Sequence, residues 1–279
     1  MQAKPDNQMN LNRILTIVLV AASLFLAFRL YRGVQGTIED REAIQSTEDA
    51  IIAKLKLIRE SEIVFQEVNK RYTVNWDSLS NFIENGRVPN IQRREQITQV
   101  GYGQEVVKVF FDTLGYTPAK ERIFKKNFTM NSTDKGIFMG YKVKVGDRVI
   151  KNQKAYSLKV GDKIQEVPFQ EQGIITVQAP VAIGTELNKG ELLINFWDYA
   201  FDPKVDLKKL GEVPGLEGTN FNIYVGKVDK NGVMVQVIEV RDPKPMNPMR
   251  KESNEAKGRK PLHFGSKLDV TTSGNWESQ

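Results

Sequence analysis

Hydrophobic and polar positions follow three different rules along this chain of 279 residues. From Ile14 to Phe28 the residues run without a charge. With Leu11, Asn12 and Arg13 before them and Arg29 and Leu30 after, they make about 20 residues, the length at which a helix spans a bilayer. From Ile44 onward an apolar or aromatic residue returns every seventh position, at Ile44, Ile51, Ile58, Phe65 and Tyr72, with Leu55 at the complementary heptad position. From about Val106 the period shortens to two, the signature of half-buried strands.

The first rule predicts a membrane anchor carried by Ile14, Leu15, Ile17, Leu19, Leu24, Phe25 and Phe28. Arg13 and Arg29 stand where long side chains snorkel to headgroups, and Tyr31 and Arg32 follow as interfacial anchors. A cleaved signal peptide is the competing reading. No small-x-small site follows the run, so a retained signal-anchor is the expectation. Lys and Arg do not differ clearly between the flanks. The short N-terminal flank is therefore placed on the cytoplasmic side of the inner (cytoplasmic) membrane by its length alone, with the large domain periplasmic.

The second rule predicts a long amphipathic or coiled-coil helix over 33–73. Its complementary seam positions Glu48, Glu62 and Asn69 are polar, which fits a register-fixing coiled coil. One helix packing on its own downstream domain fits equally. Gly33 and Gly36 offer a hinge between membrane and heptads. Asn75 or Asp77 would cap a second, short helix whose apolar face is Leu79, Phe82 and Ile83 and whose end is Asn85-Gly86. Tyr72 and Trp76 look like packing anchors.

The third rule predicts strands at 106–111, 142–145, 174–177, 192–196, 222–225 and 233–240. Asp229-Lys230-Asn231-Gly232 joins the last two as a hairpin turn. The fold class is α+β: a transmembrane helix continuing into a long helix, then a β-rich domain of mostly antiparallel strands. The divisions are a tail (1–10), the membrane helix (11–32), the amphipathic helix (33–73), a short helix and connector (74–100), a β-rich domain (101–242), a Pro-rich charged linker (243–261) and a last strand with its tail (262–279).

Charge adds one feature. The whole chain carries +6, yet between Lys120 and Lys163 twelve basic residues meet four acidic ones, a local excess of +8. Lys125, Lys126, Lys142, Lys144, Arg148 and Lys151 make a candidate basic face for anionic headgroups or an acidic protein. No nucleic-acid reader motif accompanies it, so nucleic acid is not an expected partner.

Chemistry-bearing residues are sparse. The chain has no cysteine and one histidine, which removes thiolate sites, disulfides and multi-His metal clusters. No Walker loop, nucleophile elbow or zincin helix occurs. His263 with Asp269, and Asp202 and Asp206 with Glu212, are the remaining polar groupings, and a structural role is expected for each. No cofactor or metal is expected.

Three resemblances colour this reading. The membrane helix running into an amphipathic helix, then Tyr72-Thr73 and a short Leu-containing helix, resembles type IV pilins and pseudopilins in outline, without their processing site. Val145-Gly146-Asp147-Arg148-Val149, Val160-Gly161-Asp162-Lys163-Ile164 and Ile183-Gly184-Thr185-Glu186-Leu187 resemble the turns of lipoyl and biotinyl barrel-sandwich domains, which also occur in periplasmic adaptors. The lysine-bearing modification hairpin of those domains is missing from the pattern, and ordinary hairpin turns are the favoured explanation. Arg71-Tyr72-Thr73 with Trp76-Asp77-Ser78-Leu79, the stretch from Ile174 to Pro180, and Ser273-Gly274-Asn275-Trp276-Glu277 are similar to an uncharacterised single-pass membrane protein family of Bacteroidota.

The expected function is accordingly non-catalytic: a membrane-anchored scaffold or interaction subunit of an envelope assembly for secretion, motility or a filament. Its expected partners are the bilayer, other envelope proteins and, through the heptad helix, copies of itself. An adaptor with a barrel-sandwich-like domain is the runner-up. A tethered enzyme using Asp202, Asp206 and His263 comes last.

Overall fold

The computed structural model describes residues 6–101, 104–245, 247 and 260–277, and the backbone alone at 6–13, 32–38, 99–101 and 104–106. The linker assigned to 243–261 lies mostly outside the described residues.

One helix, α1 (Asp6–Asn69), runs for 64 residues without a break. Gly33 and Gly36, the hinge the sequence offered, lie inside it without interrupting it. At about 1.5 Å per residue it is nearly 100 Å long. The segment Ile14–Tyr31 is long and apolar enough to cross a membrane, and none of it is buried against protein. A cleaved signal sequence meets the same requirement of length and composition.

Farther along, the same helix is part of the core. Ile51, Leu55 and Ile58 are almost fully buried, and Phe65 nearly so. Ile44 and Tyr72 are half-buried. The heptad seam therefore packs on the chain's own downstream residues, and a coiled coil is not what buries it. The structure resolves the two equal readings toward the intramolecular one. α2 (Trp76–Asn85) closes on this face through Leu79 and Ile83, with Phe82 edge-on to Phe65 at 5.1 Å. Its cap is as the sequence indicates: the Asn75 side chain accepts from the Ser78 N–H, and the Gly86 N–H donates to Phe82 O.

A ribbon follows, β1 (Arg87–Gly101) paired with β2 (Gln104–Pro118), joined to no other sheet. This is a departure from the expected connector at 74–100. The β1 sequence hides its strand because charged and amide residues occupy both of its faces, so no alternation of apolar and polar positions shows.

After the short α3 (Ala119–Phe124) come eight strands: β3 (Lys125–Asn131), β4 (Gly136–Tyr141), β5 (Arg148–Val149), β6 (Lys154–Val160), β7 (Lys163–Pro168), β8 (Gly173–Gln178), β9 (Glu186–Leu187) and β10 (Leu192–Tyr199). They form two sheets ordered β3-β10-β8-β5 and β7-β6-β4-β9. Phe138, Tyr156 and Leu158 of one meet Ile175, Ile194 and Phe196 of the other in a single core. The expected strand at 142–145 is instead the turn leading into β5, fixed by the Asp147 carboxylate accepting from the Lys144 N–H.

This sandwich is a duplication. Gly146 and Gly184 are 38 positions apart, as are Asn152 and Gly190, and all four have positive φ. Gly146 N–H donates to Ile175 O and Gly184 N–H to Phe138 O; Ile175 N–H returns to Asp147 O and Phe138 N–H to Thr185 O. The two-residue strand β5 pairs with β8 of the second half, and β9 pairs with β4 of the first. Each sheet thus takes two strands from each half. The turns at Gly146 and Gly184 carry the chain between sheets, so they are not the ordinary hairpin turns expected. Only the middle one, Gly161-Asp162, is a hairpin, joining β6 to β7 between the halves.

A one-turn 3-10 helix (Leu207–Lys209) leads to β11 (Asn222–Lys230), β12 (Val233–Arg241) and β13 (His263–Gly265), a three-stranded sheet. Its Ile238, Val240 and Phe264 complete the core with α1 and α2. The chain ends in a clip on the long helix: the Arg59 guanidinium lies 6.0 Å from the Trp276 ring and 2.5 Å from the Glu277 carboxylate. The described chain thus has two cores, one helical with β11–β13 and one inside the sandwich, where the sequence suggested one β-rich unit.

Leu55, at 0% exposure, sits at the centre of the first core. Leu55→Ala is expected to cost about 2–5 kcal/mol of unfolding free energy. Leu268→Ala, at a side chain 79% exposed, is expected to change it by less than about 0.5 kcal/mol. Denaturant unfolding of the full chain in detergent checks both.

Candidate functional site

Three elements meet around an open, polar cleft of about 670 Å3. The ribbon base supplies Asn90 and Thr117, α3 supplies Glu121 and Arg122, and the outer face of the first sandwich sheet supplies Lys125, Asn127, Thr176 and Trp197. α3 sits there because Ala119 N–H donates to Gly86 O and Ile123 and Phe124 are buried. Register then places Asn127 beside Trp197 across β3 and β10. The Lys125 ammonium lies 4.6 Å from the Trp197 ring centroid and is bonded to Glu121. A planar aromatic flanked by cations, amides and hydroxyls can hold an anionic or hydroxyl-rich group by stacking and hydrogen bonds. Glu121, the one carboxylate among the described residues lining it, is tied to Lys125.

The sequence-predicted basic face does not assemble as one surface. Lys125 and Lys126 border this cleft. Lys126 also lies 5.2 Å over Phe128 and shares a second hollow with Lys151, Tyr199 and Asp198. Arg148 points to Asp198 at 3.8 Å. Lys142 belongs with the other sheet, near Glu166, whose carboxyl is held below its usual range by the Lys154 ammonium bonded to it. Lys144 is exposed in the turn before β5. The duplication explains the scatter, because the basic run crosses from sheet to sheet as the chain does. The hairpin joining the halves carries exposed Lys163 beside its tip.

The polar groupings weighed for catalysis take separate hydrogen-bond partners, while Asp206 and Glu212 both act on the Lys54 ammonium. Asp269 pairs with Lys230, while His263 has its Nδ1 3.4 Å from Pro261 O and its N–H bonded to the Asn275 side chain. The Asp202 and Asp206 carboxylates accept from the Lys204 and Lys208 N–H groups. Among the described residues no group of three His, Cys, Asp or Glu side chains could hold a metal.

The most perturbed group is one the sequence marked only as a polar seam position. Glu62 is 1% exposed inside the helical core. Its Oε2 accepts from the Thr73 N–H at 3.1 Å, and its Oε1 has no partner. Burial raises its pKa to about 8, against a smaller lowering by the Thr73 bond. Tyr72, beside it, is also pushed up, by burial first and by Glu62 second. The signal available in the sequence was a carboxylate in an otherwise apolar helical stripe.

A carboxyl whose folded pKa exceeds its unfolded value of 4.5 binds its proton more tightly when folded. Folding stability should therefore be highest below about pH 4.5 with respect to this group and decline as pH rises toward about 8, by at most ~1.4 kcal/mol per pH unit. Glu62→Gln should remove that decline and raise the melting temperature at neutral pH. Thermal unfolding from pH 5 to 9 in the two chains measures it.

No family model matches this chain, and no curated protein matches it.

Proposed function

We propose that this chain is a membrane-anchored, non-catalytic scaffold or interaction subunit of a bacterial envelope assembly. The observation that carries the reading is the unbroken α1, which offers an unburied apolar span at one end and is locked into the protein core at the other. From Tyr31 to the first fully buried residue, Ile51, the helix rises about 30 Å. That is a spacer holding the body clear of the lipid surface. The resemblance to single-pass Bacteroidota proteins supports an inner-membrane location with the body in the periplasm. The open polar cleft and the split basic patches supply surfaces for partner contact without an acid-base or metal constellation.

A second reading is favoured by the duplicated sandwich. Strand exchange between two halves, with glycine turns 38 positions apart, resembles a barrel-sandwich domain and supports an adaptor that links an inner-membrane machine to an outer component. No helical hairpin interrupts 125–199 here, which sets this chain apart from such adaptors.

The test is membrane fractionation followed by purification of the tagged full chain in mild detergent. The expected result is a protein that resists alkaline extraction, retains Ile14–Tyr31 and brings partner proteins in fixed ratio. A freely soluble mature chain beginning downstream of Phe28 would overturn both readings. Partners from both membranes would favour the adaptor.

A further inference from the structure

The cleft beside α3 takes its walls from both cores. Asn90, Thr117 and Arg122 stand on the side of the helical core, and Asn127, Thr176 and Trp197 on the sandwich. The chain crosses between the two at Phe124–Lys125 and returns at Tyr199–Phe201. There the Ala200 N–H donates to Phe124 O, and the Phe124 and Phe201 rings meet edge-on at 6.2 Å. Small-molecule sites form preferentially at such junctions, and a volume of about 670 Å3 lies within their usual range of about 300–1,000 Å3.

Counting hydrogens decides what this cleft can take. The Thr117 hydroxyl donates to Asn90 Oδ1 at 3.2 Å, and the Thr176 hydroxyl donates to Asn195 O at 3.0 Å. Each therefore keeps only lone pairs for a guest. Glu121 and Lys125 are bonded to one another and cancel. Among the described residues the Arg122 and Lys126 side chains have no carboxylate partner. Asp198, opposite Lys126 across the sheet, accepts from Gln172 and lies 3.8 Å from Arg148 instead. The Asn90 amide nitrogen and the whole Asn127 amide are uncommitted as well. What remains is two cations and amide donors, beside two hydroxyl oxygens that can only accept.

We propose that the cleft binds an acidic saccharide, its carboxylate on Arg122 and Lys126 and its hydroxyls on the threonine oxygens and asparagine amides. Each part of that ligand answers one part of the count. A bare phosphate satisfies the cations but has no hydrogens for Thr117 and Thr176. A neutral sugar satisfies the threonines and leaves both charges unused. An acidic peptide needs apolar pockets for its side chains, and Trp197 is the one large apolar side chain lining the cleft among the described residues. Trp197, met edge-on by Tyr199 at 5.0 Å, closes the sandwich side as a fixed flat wall. The site needs neither the membrane span nor an assembly partner, so it stands or falls apart from the scaffold reading.

The experiment is calorimetric titration of the full chain in detergent at low salt with tri-galacturonate, neutral galactotriose, triglutamate and inorganic phosphate. The expected result is tri-galacturonate bound with a Kd of about 1 mM or below, and about tenfold more tightly than each other probe. Arg122→Gln/Lys126→Gln should weaken it on the order of tenfold. The control Lys142→Gln/Lys144→Gln, which makes the same change of net charge away from the cleft, should leave it unchanged. All four substituted side chains are exposed, and an unchanged melting curve separates lost contact from lost folding. No heat from tri-galacturonate up to about 10 mM, equal binding of any other probe (for phosphate, an adventitious ion only), or equal losses in the cleft and control variants would each overturn the proposal.

Discussion

A single rigid rod in this molecule must satisfy two solvents. Its first apolar stretch has no protein against it and is long and apolar enough to cross a membrane; its second is buried by side chains of the same chain. An α-helix has no soft joint, because every interior carbonyl is committed to an N–H four residues on. Ile51, Leu55 and Ile58 grip the rod on one side, and the Trp276–Arg59–Glu277 clip holds it again from the C-terminal end. The first core is organised around that grip: α2, the three-stranded sheet and the C-terminal clip all converge on α1.

Glu62 shows what the grip costs. A carboxyl enclosed by this core has one backbone donor and no cation, so it is held in its neutral form through most of the physiological range. The Thr73 N–H it accepts from belongs to the turn that reverses the chain after α1. The group thus ties the end of the long helix to the start of the next one.

Much of the fold was readable from residue order, and the failures have physical causes. The long apolar N-terminal helix, the heptad stripe, a helix cap at Asn75 or Asp77 (Asn75 in the structure) and the Asn231-Gly232 hairpin are local rules, enforced by chemistry within a few residues. Whether Ile51 and Phe65 face another helix or the chain's own sheet is a tertiary matter that periodicity does not contain. β1 escaped notice because its exposed faces mix Arg, Gln and Glu with Ile. The duplication was visible as repeated glycine turns, but the hairpin at Gly161 shares their lettering, so three copies were counted where two halves and a junction exist. Of the candidate site, the cationic residues were legible. Their division between two sheets was not, since it depends on which strand each short β-segment joins.

The reciprocal loan of β5 and β9 has a consequence for how the sandwich comes into being. Neither half can finish a sheet alone: Gly136 and Ile137 wait for Leu187 and Glu186, which leave the ribosome some fifty residues later. The first half must stay open while the second is synthesised, and closure then engages both at once. Each sheet is complete only when strands of both halves are in place.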